Sequence, residues 1–359
     1  MTITLPQIEG SRLLTHSAEA AYKLCPRKYY LGYQLGLRPS FQSDALRLGS
    51  AFHLGLESLK AGEGLEAGVA SIRASYGDHE RSPYLTDEDY RTEEEIACTL
   101  VRGYHVRWGS DPIVEYVAVE QSFDLPIVNP LTRRETPLFR TGGKIDGIAR
   151  LPDGRLALIE HKTTSDSIEP ESDYWRRLMM DGQVSRYVIA AREIGYDVTT
   201  TVYDVVRKPG IRPKAIAKAD RARANQTGSY FGRPFFGECP ERETAEFFGA
   251  RLLADLLERP AHYFARMEVP RLESDLDEFR YEQWRMQRTI RQAEIDAQAM
   301  GRAAWPRNTG ACLNPYKCAY FSICTSGNDL NPETDIPQGY RRVDVLHEEL
   351  ATTSNTGAE

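Results

Sequence analysis

The sequence predicts an α/β protein in which a mixed central sheet is flanked by helices. Three strands are predicted in the middle of the chain: residues 114–125 alternate apolar and polar side chains as a strand does, residues 137–150 give the second strand, and residues 155–163, with the apolar run Leu156–Ile159, give the third. A helical stretch, 173–194, separates them from a fourth strand at 197–206. Helical segments from both ends of the chain surround this core. With 359 residues, of which 41% are hydrophobic and 27% charged, the chain has ample material for a hydrophobic core.

Helices predominate before the sheet. Residues 17–35 predict a helix that is broken near Cys25-Pro26, because proline lacks the backbone N–H that a helix interior needs. Residues 44–60 predict a second helix with leucine and phenylalanine along one face. A third helix is predicted at 86–109, where Thr86 precedes a run of acidic residues.

The first three strands predict an antiparallel meander. Pro152-Asp153-Gly154 forms a tight turn between the second and third strands, since these residue types favour turn backbone conformations. Gly195 follows the helix 173–194 and suits its carboxyl end.

The chain after the fourth strand changes character. Residues 207–233 are rich in Lys and Arg, contain the single acid Asp220, and predict a mobile basic insertion. Residues 241–258 and 277–300 predict helices, and HYFARMEVPRLE between them alternates like a strand.

This pattern predicts a single composite domain rather than two. The domain spans 17–327 and comprises a helical region at 17–110, a core at 111–206, a basic and helical insertion at 207–300 and a cysteine-containing segment at 301–327. An arm at 1–16 precedes it and a tail at 328–359 follows it.

Composition narrows the class of protein. A net charge of −7 is not that of a protein that coats DNA nonspecifically, although a local basic channel remains compatible with it. The sequence contains no apolar run of about 18 residues, so no membrane span is predicted. The first residues, MTITLPQIEGSR, lack the features of a signal peptide, so a cytoplasmic location is expected. In that compartment clustered cysteines indicate metal or cluster ligands rather than disulfides.

Two carboxylates and an amine meet at one edge of the predicted sheet. Glu160 and Lys162 point to the same face of the third strand, and Asp146 lies beside Glu160 on the second, while His161 points to the other face. Neighbouring carboxylates repel unless a cation joins them, and Mg²⁺ or Mn²⁺ is the natural partner. A metal-assisted phosphodiester hydrolase is one interpretation, and a surface ion cluster is the other. Glu120 in the first strand could approach the metals, with a solvated or salt-bridged carboxylate as the alternative.

The motif GGKIDGIAR…LALIEHKTT resembles the core of the PD-(D/E)XK nuclease superfamily, with Asp146, Glu160 and Lys162 in the signature positions. Ile145 stands where that motif usually has proline. The stretch from Gly49 to His53 resembles the Gly-x-x-x-His motif of the RecB-type branch. The stretch Gln183-Val-Ser-Arg-Tyr187 resembles its Gln-x-x-x-Tyr motif.

The resemblance implies an α/β nuclease core and a function. His53, Asp146, Glu160 and the backbone carbonyl of His161 would hold one or two Mg²⁺ or Mn²⁺ ions, and Lys162 would orient the attacking water. Gln183 and Tyr187 would position the strand. The expected activity is a DNA exonuclease of recombination, repair or phage DNA processing. A metal-dependent endonuclease and a non-catalytic DNA-binding or assembly protein are the alternatives.

Four cysteines, one near the amino end of the chain and three near its carboxyl end, give a separate signal. The arrangement of Cys25 with Cys312, Cys318 and Cys324 resembles the iron–sulfur subclass of these nucleases, which includes CRISPR adaptation exonucleases and AddB-type nucleases. It implies a [4Fe–4S] cluster that joins the two ends of the domain. Five residues separate Cys312 from Cys318, whereas the familiar pattern of that subclass has two. A Cys₄ zinc site is the alternative to the cluster.

DNA is the expected partner. Candidate phosphate contacts are Arg27, Arg207, Lys208, Arg212 and Lys214, because Lys and Arg displace counterions from phosphates. Tyr230 and Phe231 could stack on unpaired bases. A solvated basic loop is the alternative for this insertion. A helicase, an annealing protein, a CRISPR integrase and a homo-oligomer are the further partners left open.

Overall fold

The structure is a computed structural model that describes residues 12–77, 81–109, 115–314, 316–326, 335–347 and 350. Its main elements, in chain order, are β1 Arg12–Leu14, α1 His16–Leu24, α2 Pro26–Tyr29, β2 Leu37–Pro39, α3 Asp44–Lys60, α4 Leu65–Gly77, α5 Asp87–Trp108, β3 Glu115–Val128, β4 Glu135–Arg150, β5 Leu156–Thr164, α6 Asp173–Leu178, α7 Gly182–Glu193, β6 Val198–Arg207, α8 Lys218–Thr227, β7 Ser229–Tyr230, β8 Arg233–Pro234, α9 Ala245–Glu258, α10 Pro260–Tyr263, β9 Phe264–Glu268, α11 Glu273–Met300, α12 Phe321–Thr325 and β10 Tyr340–Arg342.

A mixed six-stranded sheet forms the centre of the fold, in the order β1-β4-β5-β6-β9, with β3 also paired to β4. Strands β3, β4 and β5 form the predicted antiparallel meander. Strand β6 then runs parallel to β5, and β9 runs antiparallel to β6. The predicted fold class, a mixed sheet flanked by helices, is confirmed.

Strands β1 and β5 share one edge of β4. Leu14 of β1 pairs with Thr141, and Ile159 of β5 pairs with Gly147, while β3 occupies the opposite edge along the whole strand. Because β1 runs parallel to β4 and β5 runs antiparallel to it, their carboxyl ends point toward each other across residues 142–146. The sheet therefore opens into a gap at this edge, which we call the fork.

Glycine suits the fork because side chains crowd it from both sides. A Cβ on Gly142 would meet the Leu13 side chain at 2.6 Å, and a Cβ on Gly143 would meet the rings of Phe123 and Tyr187 at 2.8 Å. Either substitution would force one of these neighbours to move.

Two helical layers cover the sheet. Helices α3, α4, α5 and α9 bury one apolar cluster against Val206 and Phe264, and helices α6, α7 and α11 bury another against Tyr203 and Val205. Adjacent residues of β6 therefore face opposite layers, as strand alternation requires. None of the described helices is long and apolar enough to cross a bilayer.

Two local predictions were wrong. The stretch 173–194 forms two helices, because Asp181 caps α7 by accepting a hydrogen bond from the backbone N–H of Gln183 at 2.9 Å. The stretch 207–233 is folded rather than mobile, since α8 and the β7–β8 hairpin bury Ile216, Ala224 and Tyr230.

The end regions also hold structure. Residues 340–342, predicted as part of the tail, pair with β2 as strand β10. Most of the predicted arm, residues 1–11, lies outside the described residues, as do 327–334, 348–349 and 351–359 of the carboxyl-terminal region.

Candidate active site

Three predicted site residues meet where β4 and β5 separate at the fork. Gly147 of β4 pairs with Ile159 of β5. Asp146 directly precedes Gly147, and Glu160 directly follows Ile159. The Nζ atom of Lys162 lies 2.8 Å from Oε1 of Glu160. Glu160 is 2% exposed, whereas the side chain of Lys162 is 24% exposed, so the amine reaches toward solvent from a buried carboxylate.

Helix α7 holds this lysine from one face of the sheet. Lys162 Nζ donates to Oε1 of Gln183 at 2.5 Å and lies 3.8 Å from Oδ2 of Asp181. The amide of Gln183 donates in turn to the Tyr187 hydroxyl at 3.1 Å. Because residues four apart share one helix face, Gln183 and Tyr187 both point at the fork.

Asp146 is fixed by the backbone of the neighbouring strand. The backbone N–H of His161 donates to Oδ2 of Asp146 at 2.8 Å. From the opposite face, α3 brings Nδ1 of His53 to 3.9 Å from the same oxygen. The fork therefore brings together, around a pair of carboxylates, His53 of α3 on one face of the sheet and Lys162 of β5, which α7 holds on the other face.

The His161 side chain points away from this pair into the α3 and α5 layer, as predicted. Its Nδ1 atom lies 3.7 Å from Asp204, which accepts hydrogen bonds from the Tyr104 hydroxyl at 2.6 Å and from Nε of Arg266 at 2.9 Å. The Tyr116 hydroxyl lies 3.4 Å from Nε2 of His161. This buried polar network supports the backbone of the residue that touches Asp146.

Burial and neighbouring charges determine the protonation of the site. Burial raises the pKa of Glu160 to about 8, with Lys162 acting to lower it and Asp146 to raise it. Burial lowers the pKa of His53, although Asp146 opposes that shift. His53 is therefore neutral near pH 7 and keeps a ring nitrogen free to act as a metal ligand.

The carboxylates suit a divalent cation. The Oε2 atom of Glu160 is buried and has no hydrogen-bond partner among the described residues, which disfavours the ionised form, and a bound cation would stabilise that form. Within the same described residues no three His, Cys, Asp or Glu side chains already stand in a metal-binding group. The donor set therefore fits Mg²⁺ or Mn²⁺ by its chemistry, and binding would draw the side chains together.

Two residues at the site were missed by sequence reasoning. Asp181 contacts Lys162, and its signal was the Asp-Gly start of α7. Lys60 lies on the same face of α3 as His53, seven residues on, with its Nζ 5.6 Å from the ring centre of Tyr116. Burial lowers the pKa of the Lys60 amine, while Asp146 acts to raise it.

Glu120, a candidate to approach the metals, is paired instead. Its Oε2 atom lies 2.5 Å from Nζ of Lys144. The Glu120 carboxylate therefore has Lys144, rather than a metal, as its partner.

The four predicted cluster cysteines lie in the same region of the molecule. Cys25 Sγ accepts from the backbone N–H of Asn308 at 3.4 Å, and the N–H of Cys318 donates to the Cys312 carbonyl at 2.8 Å. Burial raises the pKa of the Cys324 thiol, and Cys25 and Cys318 act in the same direction. All four are free thiols. Their chemistry suits a cluster, although the described side chains do not form a closed ligand set.

The predicted phosphate contacts fall into two groups. Arg27 donates to the Trp305 carbonyl at 2.9 Å, Arg207 lies 3.3 Å from the His262 ring, and Lys208 donates to the Ala45 carbonyl at 2.9 Å. These three have structural partners. Arg212 and Lys214 are exposed.

Comparison with known proteins assigns the chain to a protein family. A sequence model of the PD-(D/E)XK nuclease superfamily matches residues 13–325. A component of the ATP-dependent helicase/deoxyribonuclease of Streptococcus agalactiae serotype Ia is 25% identical over 181 residues, which is 48% of this chain and 16% of that protein. The serotype V protein matches equally. The chain thus matches about a sixth of the length of these curated relatives.

One solved structure, described as the crystal structure of SSO0001, covers 72% of this chain and 79% of its own. It has 12% sequence identity and a TM-score of 0.25, so the overall similarity is weak.

Proposed function

Because the chain belongs to the PD-(D/E)XK nuclease superfamily, we propose that it is a divalent-metal-dependent DNA exonuclease. The observation that carries the proposal is the fork, where a buried carboxylate with an unpartnered oxygen, Glu160, lies beside Asp146 and Lys162. Most buried carboxylate oxygens have a hydrogen-bond partner, and a cation bound between Glu160 and Asp146 would supply one here.

The proposed ligands are His53, Asp146, Glu160 and the His161 carbonyl. A bound Mg²⁺ or Mn²⁺ ion would polarise the scissile phosphate and lower the pKa of water. The N–H of His161 orients Asp146, and the Asp204 network holds His161 from behind. Outer contacts of this kind tune metal ligands and are worth about 10–100-fold in affinity or activity.

Lys162 has the role of orienting the attacking water and stabilising negative charge on the phosphate. Gln183 and Asp181 hold its amine in place, so little reorganisation is needed during the reaction. Tyr187 holds the Gln183 amide and points toward the fork from the same helix face. Gln183 and Tyr187 position the strand in the site rather than contribute to its affinity.

Digestion of linear DNA tests the proposal. We expect the protein to release nucleotides from end-labelled DNA with Mn²⁺ and to be inactive with chelator. Lys162→Ala should lose at least about 10²-fold in rate, the usual effect of removing a positioned charge or proton donor. Its thermal unfolding and DNA binding should stay close to wild type. Undiminished cleavage by this variant, purified free of host nucleases, would refute the mechanism.

Closed circular DNA distinguishes the two types of cleavage. An exonuclease needs a strand end, so circles should survive under conditions that degrade the same DNA after linearisation. Cleavage of intact circles would support the endonuclease alternative.

We further propose that Cys25, Cys312, Cys318 and Cys324 hold a [4Fe–4S] cluster. Supporting this, their thiols come from both ends of the domain, as a structural staple would require. After anaerobic purification, Cys318→Ser should lose the visible absorbance of a cluster and unfold at a lower temperature. Wild-type protein that is colourless and carries stoichiometric zinc would establish the Cys₄ zinc alternative.

A helicase is the partner that the relatives suggest, since their name joins helicase and deoxyribonuclease. We propose a role in recombination, repair or phage DNA processing on that basis. Co-purification with a helicase, an annealing protein or a CRISPR integrase would select among the pathways.

A further inference from the structure

The basic insertion carries a second concave site outside the fork. A cavity of about 380 Å³ lies between α8 and the β7–β8 hairpin. Ile216 and Ala224 are buried at its base, the Phe231 ring stands at its side, and Lys214 and Arg223 lie on its rim. This volume is within the range of small-ligand pockets.

Its charge distinguishes it from the larger cleft of about 730 Å³ beside α5. That cleft is lined by Asp44, Glu88, Asp89 and Glu93 as well as by basic residues, so it is unsuited to a polyanion. The smaller cavity has one acid, Asp220, against Lys214 and Arg223. Across the described residues neither cation has an ion-pair or hydrogen-bond partner for its side chain. The segment 207–233 contains eight Lys or Arg residues and one acid, in a chain of net charge −7.

Backbone conformation points to Phe231. The turn between β7 and β8 has two central residues, both with positive φ: +47° at Phe231 and +80° at Gly232. Such hairpin turns favour Asn-Gly, because a bulky side chain at positive φ is sterically strained. Strain of this kind persists mainly at ligand clamps and other functional positions. The ring is 54% exposed and rests edge-on against Tyr230 at 4.9 Å.

The insertion also lies downstream of the fork. It leaves the sheet at the carboxyl end of β6, where Arg207 pairs with Thr164, two residues after Lys162 on β5. The N–H of Lys208 donates to the Thr164 carbonyl at 2.7 Å. The insertion therefore begins beside the carboxyl end of β5, the strand that carries Glu160 and Lys162.

We propose that this cavity binds one unpaired nucleotide of a single DNA strand. The base stacks on Phe231 over the apolar floor, and Lys214 and Arg223 hold the adjoining phosphates. Tyr230 plays no part in stacking, because it is 7% exposed and its hydroxyl donates to Glu243 at 2.9 Å. The proposal rests on the proposed function in taking DNA as the ligand.

Binding without metal tests the site separately from cleavage. Fluorescence anisotropy in chelator would compare a labelled oligothymidine with a duplex of equal length. Phe231→Ala should weaken oligothymidine binding about 5- to 150-fold, the effect of losing one base–aromatic stack. The duplex, whose bases are already stacked, should change by less than about 2-fold. Phe231→Trp should retain affinity, and its indole fluorescence should be quenched by the bound strand.

Charge is tested by salt dependence. The double variant Lys214→Gln/Arg223→Gln should reduce the slope of log affinity against log salt by about 1.4, since each single-strand phosphate contact contributes about 0.7. Arg285→Gln/Arg288→Gln, which removes two exposed charges from α11, is the matched control and should not change the slope. Phe236→Ala removes a fully exposed ring outside the cavity and should bind as wild type.

Unchanged oligothymidine binding by both cavity variants overturns the site, as does a wild-type protein that binds no oligothymidine. Thermal unfolding of each variant verifies its fold. If wild type degrades linear DNA while the cavity variants bind normally, the nuclease proposal stands and this one fails. If Phe231→Ala loses oligothymidine binding but wild type cleaves no DNA, the cavity proposal stands and the nuclease proposal fails.

Discussion

Gln183→Leu tests whether the lysine at the fork must be held in place as well as present. The Gln183 carboxamide is the link between Lys162 and Tyr187, accepting from one at 2.5 Å and donating to the other at 3.1 Å. Leucine has a similar volume but no polar atoms. The half-buried position tolerates it without a cavity.

The magnitude follows from the contacts that remain. A hydrogen bond to a charged group is worth about 1.5–3 kcal/mol, which corresponds to about 10- to 150-fold in rate if all of it acts on the transition state. Lys162 keeps Glu160 at 2.8 Å, so the amine stays in the site with more freedom. We therefore expect a loss of about 10- to 50-fold, smaller than the loss from Lys162→Ala.

Single-turnover cleavage of end-labelled DNA with Mn²⁺ measures this effect without product release. Substrate affinity in chelator should change by less than about 2-fold. Gln292→Leu is the matched control, because its amide donates to Asp296 at 2.8 Å on an exposed helix face, far from Lys162 in the sequence. A Gln183→Leu rate within about 2-fold of wild type, alongside an inactive Lys162→Ala, would refute the positioning role.

Two further predictions concern other parts of the molecule. Lys60→Met should lower the cleavage rate about 10-fold or more while Lys60→Arg restores part of it, because Lys60 lies on the His53 face of α3 and would supply a positive charge that acts on Asp146. Equal rates for both variants and wild type would exclude that role. Glu243→Gln should destabilise the protein at neutral pH by about 2–3 kcal/mol, measured by urea unfolding, because the buried carboxylate accepts from Arg251 at 2.5 and 2.8 Å. Burial acts to raise the pKa of Glu243, but its hydrogen bonds lower that pKa overall. Wild type should therefore lose this stability as the pH falls below about 4.3, and its free energy of unfolding should approach that of the variant. A difference in unfolding free energy that stays constant down to acid pH would contradict the role given to the Glu243 carboxylate.

Local patterns were enough to predict the meander of β3, β4 and β5 and to place Asp146, Glu160 and Lys162 on it. The meander was readable because strand alternation and the Pro152-Asp153-Gly154 turn are both short-range signals. Once Glu160 and Lys162 share a face and Asp146 lies on the next strand, strand geometry alone brings them together. Helical spacing likewise predicted that the glutamine and tyrosine of α7 share one face.

The rest depends on contacts between residues distant in sequence. Strand β1 has three residues, too few to show alternation, and it exists because β4 offers it an edge. The basic insertion appeared mobile in sequence because its anchor, Glu243, lies outside it and binds Tyr230 and the N–H of Lys214. Lys60 was missed because it is a lysine at a helix end, where a solvated cation is the common outcome.

The two ends of the domain close on each other, and this has a consequence for folding. Arg12 contacts Glu294, Arg27 binds the Trp305 carbonyl, and Arg186 donates to the Leu14 carbonyl at 2.6 Å. Contacts spanning about 280 residues form late, because the chain entropy of closing such a loop opposes them. During synthesis on the ribosome, β1 can pair with β4 before α11 emerges, whereas the contacts that join the two ends of the domain must wait for α11 and the segment after it. A nascent chain would thus acquire its β3–β5 meander well before the two ends of the domain could close on each other.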